Sequence, residues 1–293
     1  MDWRVVVPCA NALGEGPHWD PRSQVLWWID VIGCKLSRYT LADQTVQQWE
    51  TPRFPAAIAQ YGESALVVNG RNWTAHFDPS TGSWTTLDLQ GVDFSVERLN
   101  DGRVDAMGRW WTGSMDRQLK APIGGLYSWS SGNQWVRHAD GIQLGNGIGW
   151  SPDNRWIYVT DTPARLIYRY AFDLESGQIG ARSNWVEIPE GGGEPDGLTV
   201  DAEGHVWSAQ IGAGAINRYN PEGVLVATLR VPVPRPTSVT FGGPEMKTIF
   251  VTTATLDLAP GQADAYPDSG HLFALETDIR GVPENRLQLT IPI

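Results

Sequence analysis

An all-β fold is predicted by three features: shifted copies of one strand–turn–strand unit recur along the chain, the copies keep a steady interval, and the composition favours short strands joined by tight turns. The clearest copy is Pro195-Asp196-Gly197-Leu198-Thr199-Val200-Asp201-Ala202-Glu203-Gly204-His205-Val206-Trp207. It reads as an apolar run ending at Val200, a turn over Asp201 to Gly204, and a second apolar run. The same grammar appears from Val104 to Trp111, from Trp150 to Ile157 and from Trp19 to Leu26, with weaker copies at Gln60 to Leu66 and Phe241 to Lys247. The anchors Trp19, Gln60, Val104, Trp150, Val200 and Phe241 lie about 41, 44, 46, 50 and 41 residues apart, the interval of a propeller or a similar array. The 293 residues include 32 Gly, 20 Pro and 15 Trp, which suits many short strands better than a helical bundle. All-β proteins of this length commonly form one domain. The prediction is a six-bladed β-propeller over residues 1–293, with four-stranded antiparallel blades.

Taken in order, Trp3 to Val7 alternates and breaks at Pro8, so it reads as a lone strand in need of a partner. A closed propeller supplies one if this N-terminal strand completes the last blade, against carboxy-terminal strands around His271 to Leu275 and Leu287 to Ile291. Further strands follow the anchor pairs at Leu36 to Tyr39 and Thr45 to Trp49, then at Ala75 to Phe77 and Trp84 to Leu87. Asp78 to Gly82, Leu174 to Gly177 and Asn220 to Gly223 carry turn residues. The connection from Asp116 to Gly125 is longer than a hairpin needs and ends in a Gly pair, which predicts a hinged lid. Trp27, Trp28, Trp110, Trp111, Trp156 and Trp207 fall on second strands and are expected to pack between blades. Trp73 is expected on a loop, placed to stack on a sugar face.

The formal net charge of -11 argues against nucleic-acid and anionic-membrane partners, which reward clustered Lys and Arg. No apolar run is long enough to span a membrane. Asp2 stands where a secretory signal places positive charge, so a cytoplasmic monomer is expected. Cys9 and Cys34 form no CxxC motif and are expected to be unreactive thiols.

Equivalent positions in a propeller point the same way and meet near the axis. Four residues before each anchor stand Glu15, Ala56, Asn100, Asn146, Asp196 and Thr237. Burying the carboxylates of Glu15 and Asp196 there is costly unless a divalent cation compensates them. Such oxygens suit Ca²⁺, Mg²⁺ or Mn²⁺ and are tolerable to Zn²⁺ or Fe²⁺; the alternative is that these residues cap strand ends and water fills the channel. Two positions earlier lie Leu13, Phe54, Arg98, Leu144, Glu194 and Arg235. Arg98 either holds a carboxylate or polyol at the channel mouth or neutralises Glu194 or Glu97. The histidines form no paired ligand spacing and no Gly-x-Ser-x-Gly elbow exists, so only His18, three residues after Glu15, is expected near the mouth.

Gly14-Glu15-Gly16-Pro17, Arg98-Leu99-Asn100-Asp101-Gly102-Arg103-Val104-Asp105 with Gly113-Ser114-Met115, Asn146-Gly147-Ile148-Gly149-Trp150-Ser151-Pro152-Asp153 and Pro195-Asp196-Gly197 together resemble the motifs of the gluconolactonase, regucalcin and sugar-lactonase family. The match runs in order through nearly the whole chain. The resemblance implies a six-bladed propeller that hydrolyses aldonolactones such as gluconolactone, xylonolactone, galactonolactone or arabinonolactone. It also implies one divalent metal ion, Ca²⁺, Zn²⁺, Mn²⁺ or Fe²⁺, held by Glu15, Asn146 and Asp196, with Arg98 and Asn100 contacting substrate. Gln118 takes a substrate-contacting slot that is acidic in the family's animal members, with Asp116 two residues away. The metal would polarise the lactone carbonyl while Asp196 serves as general base toward water. A non-enzymatic Ca²⁺-binding propeller and a promiscuous metal-dependent esterase or organophosphate hydrolase are the competing readings.

Overall fold

The computed structural model describes residues 2–291, whose strands form six antiparallel four-stranded sheets. The innermost strands, one per blade, are Gly14–Asp20, Pro55–Tyr61, Glu97–Val104, Gly145–Trp150, Glu194–Val200 and Pro236–Gly242, here blades 1 to 6. Each contacts the next, and blade 6 returns to blade 1. The architecture is the expected six-bladed propeller. The helix Gln262–Ala265 is the one helix among the described residues, and no helix is long and apolar enough to cross a membrane.

The repeat is visible in the sequence because its turn is built by side-chain chemistry. Asp20, Asp105 and Asp201 each follow an anchor and accept the backbone N–H two residues on, at 3.0, 2.9 and 2.9 Å. This is the local bond that makes Asp a turn residue. Asp105 and Asp201 also accept the indole N–H of Trp111 and Trp207, at 2.8 and 2.9 Å. The second strand is thereby tied to the turn that precedes it. Trp28, Trp110, Trp111 and Trp207 are buried as expected, and rings pack across blades in pairs such as Trp19 with Phe250 and Trp207 with Phe241. Burying apolar area at about 25 cal/mol per Å² makes these rings large contributors to the closed ring. Trp73 differs from expectation. It opens the strand Trp73–Asp78, packs edge-on against Trp84, and is absent from the lining of the axial cavity.

Arg4–Val7 pairs antiparallel with Leu272–Glu276, so both ends of the chain build blade 6 and the N-terminal strand closes it. The expected second partner, Leu287 to Ile291, is not a strand of that blade. Arg4–Val7 already fills the outer edge, so residues 279–291 leave blade 6 and run across the far end of the channel. Gly281 N–H donates to Met246 O at 2.8 Å, Asn285 Nδ2 to Val104 O at 3.1 Å, and Leu287 N–H to Gln60 O at 2.8 Å. Glu284 forms an ion pair with Arg103 of blade 3, and Arg286 pairs with Asp20 of blade 1 at 3.3 Å. With Ala202 N–H donating to Arg280 O at 2.9 Å as well, this strap ties blades 1, 2, 3, 5 and 6 together on the face opposite the cavity.

Candidate active site

In every blade the innermost strand slips register against its neighbour at one level. The slips lie between Glu15 and His18, Pro55 and Ala57, Leu99 and Gly102, Asn146 and Ile148, Pro195 and Leu198, and Pro236 and Ser238. A β-bulge bends its strand and re-aims a side chain. Six at one level gather the residues four before each anchor around the axis. Glu15, Asn100, Asn146 and Asp196 accordingly line one cavity of about 210 Å³, with Ala56 adding no donor. Thr237 is not in the lining, and its hydroxyl bonds to Gly14 O and Thr252.

The residue after each predicted ligand is Gly16, Gly147 or Gly197, and packing explains the last two. A Cβ on Gly197 would sit 2.1 Å from Ser238 Oγ, and one on Gly147 would sit 2.5 Å from the backbone N of Leu198. Neighbouring strands leave no room for a side chain at these two positions, whereas Gly16 has space around it and is favoured by its left-handed φ of 55°. Blade 3 breaks the rule, placing Asp101 after Asn100, and its carboxylate lines the cavity. Asp101 is the cavity-lining carboxylate that the four-before-anchor rule does not reach. Its signal was legible, since Glu15-Gly16, Asn146-Gly147 and Asp196-Gly197 agree where Asn100-Asp101 departs.

The amide groups form a chain. Asn100 Nδ2 donates to Asn146 Oδ1 and, at 3.1 Å, to Gly145 O. Asn146 Nδ2 donates to Thr162 Oγ1 at 2.7 Å, and that hydroxyl donates to Pro195 O at 2.7 Å. Asn146 is 7% exposed and Asp196 3%, so the side chains have few alternatives to this arrangement.

Burial lifts the Asp196 carboxyl to about 8, and the nearby charge of Asp101 pushes the same way. Burial also raises Glu15 well above the carboxylate range, followed by the charges of Asp196 and Asp101. Asp101 is raised by burial as well. Among the described residues none of these three carboxylates belongs to an ion pair. Carboxylates crowded at low dielectric either keep protons or meet a cation. Two carboxylates and an amide oxygen, with no Cys or His in the lining, fit a hard divalent ion.

Arg98 also lines the cavity, together with Glu194 and Arg235. It pairs with neither Glu194 nor Glu97. Glu97 instead meets Arg137 at 2.7 Å and accepts from Ser114 Oγ at 2.6 Å. Burial and then the charge of Arg71 lower the Arg98 guanidinium to about 10, which leaves it a cation at neutral pH. Arg71 and Arg98 line a second space too, a vestibule of about 230 Å³ shared with Arg53, Phe54, Asn72 and Arg117.

Gln118 is exposed on the loop beside this vestibule and lines neither space. The Asp116 carboxylate accepts the N–H groups of Gln118, Lys120 and Ala121 at 2.9, 2.9 and 3.0 Å, folding the loop onto itself. The expected glycine hinge is not there. Gly124 and Gly125 lie within the buried strand Gly124–Trp129, and a Cβ on Gly124 would meet Ser114 O at 2.4 Å.

His18 lies beyond the bulge, away from the mouth where it was expected. Burial, then the charge of Arg103, pushes its imidazole down to about 4, so it is neutral. Asp201, Glu203 and His205 bring three ligand atoms within 4.8 Å of one another. Arg218 Nε and Nη2 reach Asp201 Oδ2 at 3.0 and 2.7 Å, and Trp207 donates to the same oxygen. That cluster is a turn whose two carboxylates share one arginine, Arg218, at 2.7 Å from Asp201 and 2.6 Å from Glu203. Cys9 and Cys34 are free, and burial raises the Cys9 thiol to about 11, in keeping with an unreactive group.

The family model described as the SMP-30/gluconolactonase/LRE-like region matches residues 13–255. The 6-deoxy-6-sulfogluconolactonase of Pseudomonas putida is 32% identical over 282 residues, covering 96% of this chain and 97% of that protein. A pentonolactonase of Haloferax volcanii is 33% identical over 289 residues, with 96% of each covered. Among solved structures, regucalcin from Agrobacterium tumefaciens, described as a calcium-binding protein, superposes with a TM-score of 0.93 at 29% identity, covering 99% of this chain and 98% of that one.

Proposed function

The chain belongs to the SMP-30/gluconolactonase/LRE-like family, and on that premise we propose that it hydrolyses the ester bond of a sugar lactone to the open acid, with a divalent cation held by Glu15, Asn146 and Asp196. The observation that carries this reading is the convergence of those three oxygen donors, through bulges at one level, on a single cavity beside Arg98 and Asn100. The lactonase relatives support the reaction class.

A cation bound to this donor set supplies Lewis-acid polarisation of the lactone carbonyl and favours ionised carboxylates. The chain's own residues do the rest. Asp196 accepts a proton from the attacking water through a carboxylate oxygen, with no relay required. Asn100 fixes the Asn146 amide by donating to its oxygen. Arg98 offers a fork of donors to the sugar hydroxyls and orients the ester. The strap bonded across the opposite face at Val104 and Gln60 leaves the vestibule as the approach to the cavity.

The calcium-binding description of the regucalcin relative supports a second reading, a propeller that binds the cation without catalysis. Lactone opening by protein reconstituted with Ca²⁺, Mn²⁺, Zn²⁺ or Fe²⁺ separates the two. Acceleration over buffer that chelation abolishes supports hydrolysis; a folded, metal-loaded protein that opens no sugar lactone leaves the binding reading.

A further inference from the structure

The vestibule contains four guanidinium groups, those of Arg53, Arg71, Arg98 and Arg117, and no carboxylate lines it. In a chain of net charge -11 this is a local reversal of sign. Among the described residues none of the four takes part in an ion pair. Arg71 Nε is buried without a hydrogen-bond partner. Its compensation within the vestibule is the Phe54 ring, 4.1 Å from the guanidinium carbon. Arg117 commits one nitrogen, Nη1, to Phe94 O at 2.6 Å. Arg53 and Arg117 are exposed, whereas Arg71 and Arg98 are partly desolvated, and desolvated cations side by side without counter-charge are unfavourable unless an anion completes them.

The carboxylates of the metal cavity are not the missing counter-charge. Arg235 lines that cavity with them and its charge acts on Asp196, whereas Arg53 and Arg117 line the vestibule and not that cavity. Arg71 and Arg98 line both spaces, which makes the two continuous. A molecule whose ester reaches Glu15, Asn146 and Asp196 therefore extends its other end toward the arginines. Guanidinium forks match tetrahedral oxyanions by paired, charge-assisted hydrogen bonds.

We propose that the arginine vestibule is an anion subsite, and that the substrate is a sugar lactone carrying a phosphate or sulfonate at the end remote from its carbonyl. The inference rests on the lactonase reading of the adjoining cavity and specifies its substrate class. Arg53 and Arg117 form the outer wall of the subsite, and Arg71 and Arg98 its inner wall.

The test compares kcat/KM of the metal-loaded protein for gluconolactone and for its derivatives bearing phosphate or sulfonate in place of the terminal hydroxyl. The expected preference for one charged derivative is tenfold or more, falling by about 10- to 100-fold in Arg53→Gln/Arg117→Gln, on the scale of lost charge-assisted hydrogen bonds. The better derivative identifies the anion. Equal or better turnover of the neutral lactone overturns the subsite, as does a preference that survives the double substitution. If no lactone is opened, the hydrolytic reading fails by itself. Calorimetric titration of the phosphorylated and sulfonated open acids into wild-type and doubly substituted protein then decides the subsite: tighter binding than gluconate that the substitutions abolish supports it, and binding equal to gluconate overturns it.

Discussion

Asn100 donates its amide N–H to the side-chain oxygen of Asn146, joining a residue expected to face substrate to one expected to hold metal. Arg98, two residues away on the same strand, has no such link. Replacing Asn100 by Ala should lower metal affinity about fivefold, the worth of one neutral hydrogen bond of about 1 kcal/mol. Arg98→Ala should leave metal affinity intact or raise it, since a nearby cation is removed. Metal titration calorimetry on the two variants checks the contrast, and an equal loss in both would place Arg98 in the metal's own surroundings.

Arg98→Ala should instead appear in turnover. Losing a charge-assisted hydrogen bond to substrate costs roughly 1.5 to 3 kcal/mol, so kcat/KM should fall by about one to two orders of magnitude. Steady-state kinetics at saturating metal measures this.

Asp196→Asn keeps an oxygen donor in the lining and removes the base. The variant should retain metal at reduced affinity and lose most of kcat. Near-normal turnover in metal-loaded Asp196→Asn would assign proton removal to another group, and Asp101, on the same cavity wall, is the first to test.

The carboxyls of Glu15 and Asp196 are raised in the fold, Asp196 to about 8, against about 4 in an unfolded chain. A group raised in the native state binds more protons there than in the unfolded state. Its contribution to stability is therefore complete below about pH 4 and lost as pH rises toward 8. Stripped of metal, the protein should lose thermal stability between pH 5 and 8 more steeply than the metal-loaded form, in which the cation favours ionised carboxylates. Asp196→Asn should flatten the slope of the stripped protein. Calorimetric unfolding across that range tests both, and parallel slopes would contradict the buried pair.

The strap gives a stability prediction remote from the site. Arg103 and Glu284 have side chains 11% and 10% exposed, so Glu284→Ala leaves a largely buried guanidinium without its partner. The cost should be on the order of 3 kcal/mol, with metal affinity unchanged. Denaturant unfolding monitored alongside metal titration would show it.

Much of this molecule could be read before folding because its repeat is written in turn chemistry. Asp20, Asp105 and Asp201 mark the same bend, and counting back four residues reached the cavity lining in five blades out of six. The bulges that aim those side chains have no separate signature, although Gly147 and Gly197 follow from the close approach they impose and Gly16 from its left-handed backbone. Long-range closure was half legible. Trp3 to Val7 needed a partner and found Leu272–Glu276, but the course of residues 279–291 depends on an edge already filled, which local pattern does not record. Trp73 shows the same limit, since its packing against Trp84 is decided by the neighbouring strand. The four vestibule arginines come from blades 2 and 3 and the connections around them, and no spacing rule unites them.

The most direct measurement is lactone opening by protein stripped with chelator and then titrated with one divalent metal, run in parallel on wild type and Asp196→Ala. The expected result is turnover absent after stripping, restored at one equivalent of metal in the wild type, and never restored in the variant. Turnover that is indifferent to chelator, or that survives in Asp196→Ala, would contradict a metal-dependent lactonase built on Glu15, Asn146 and Asp196.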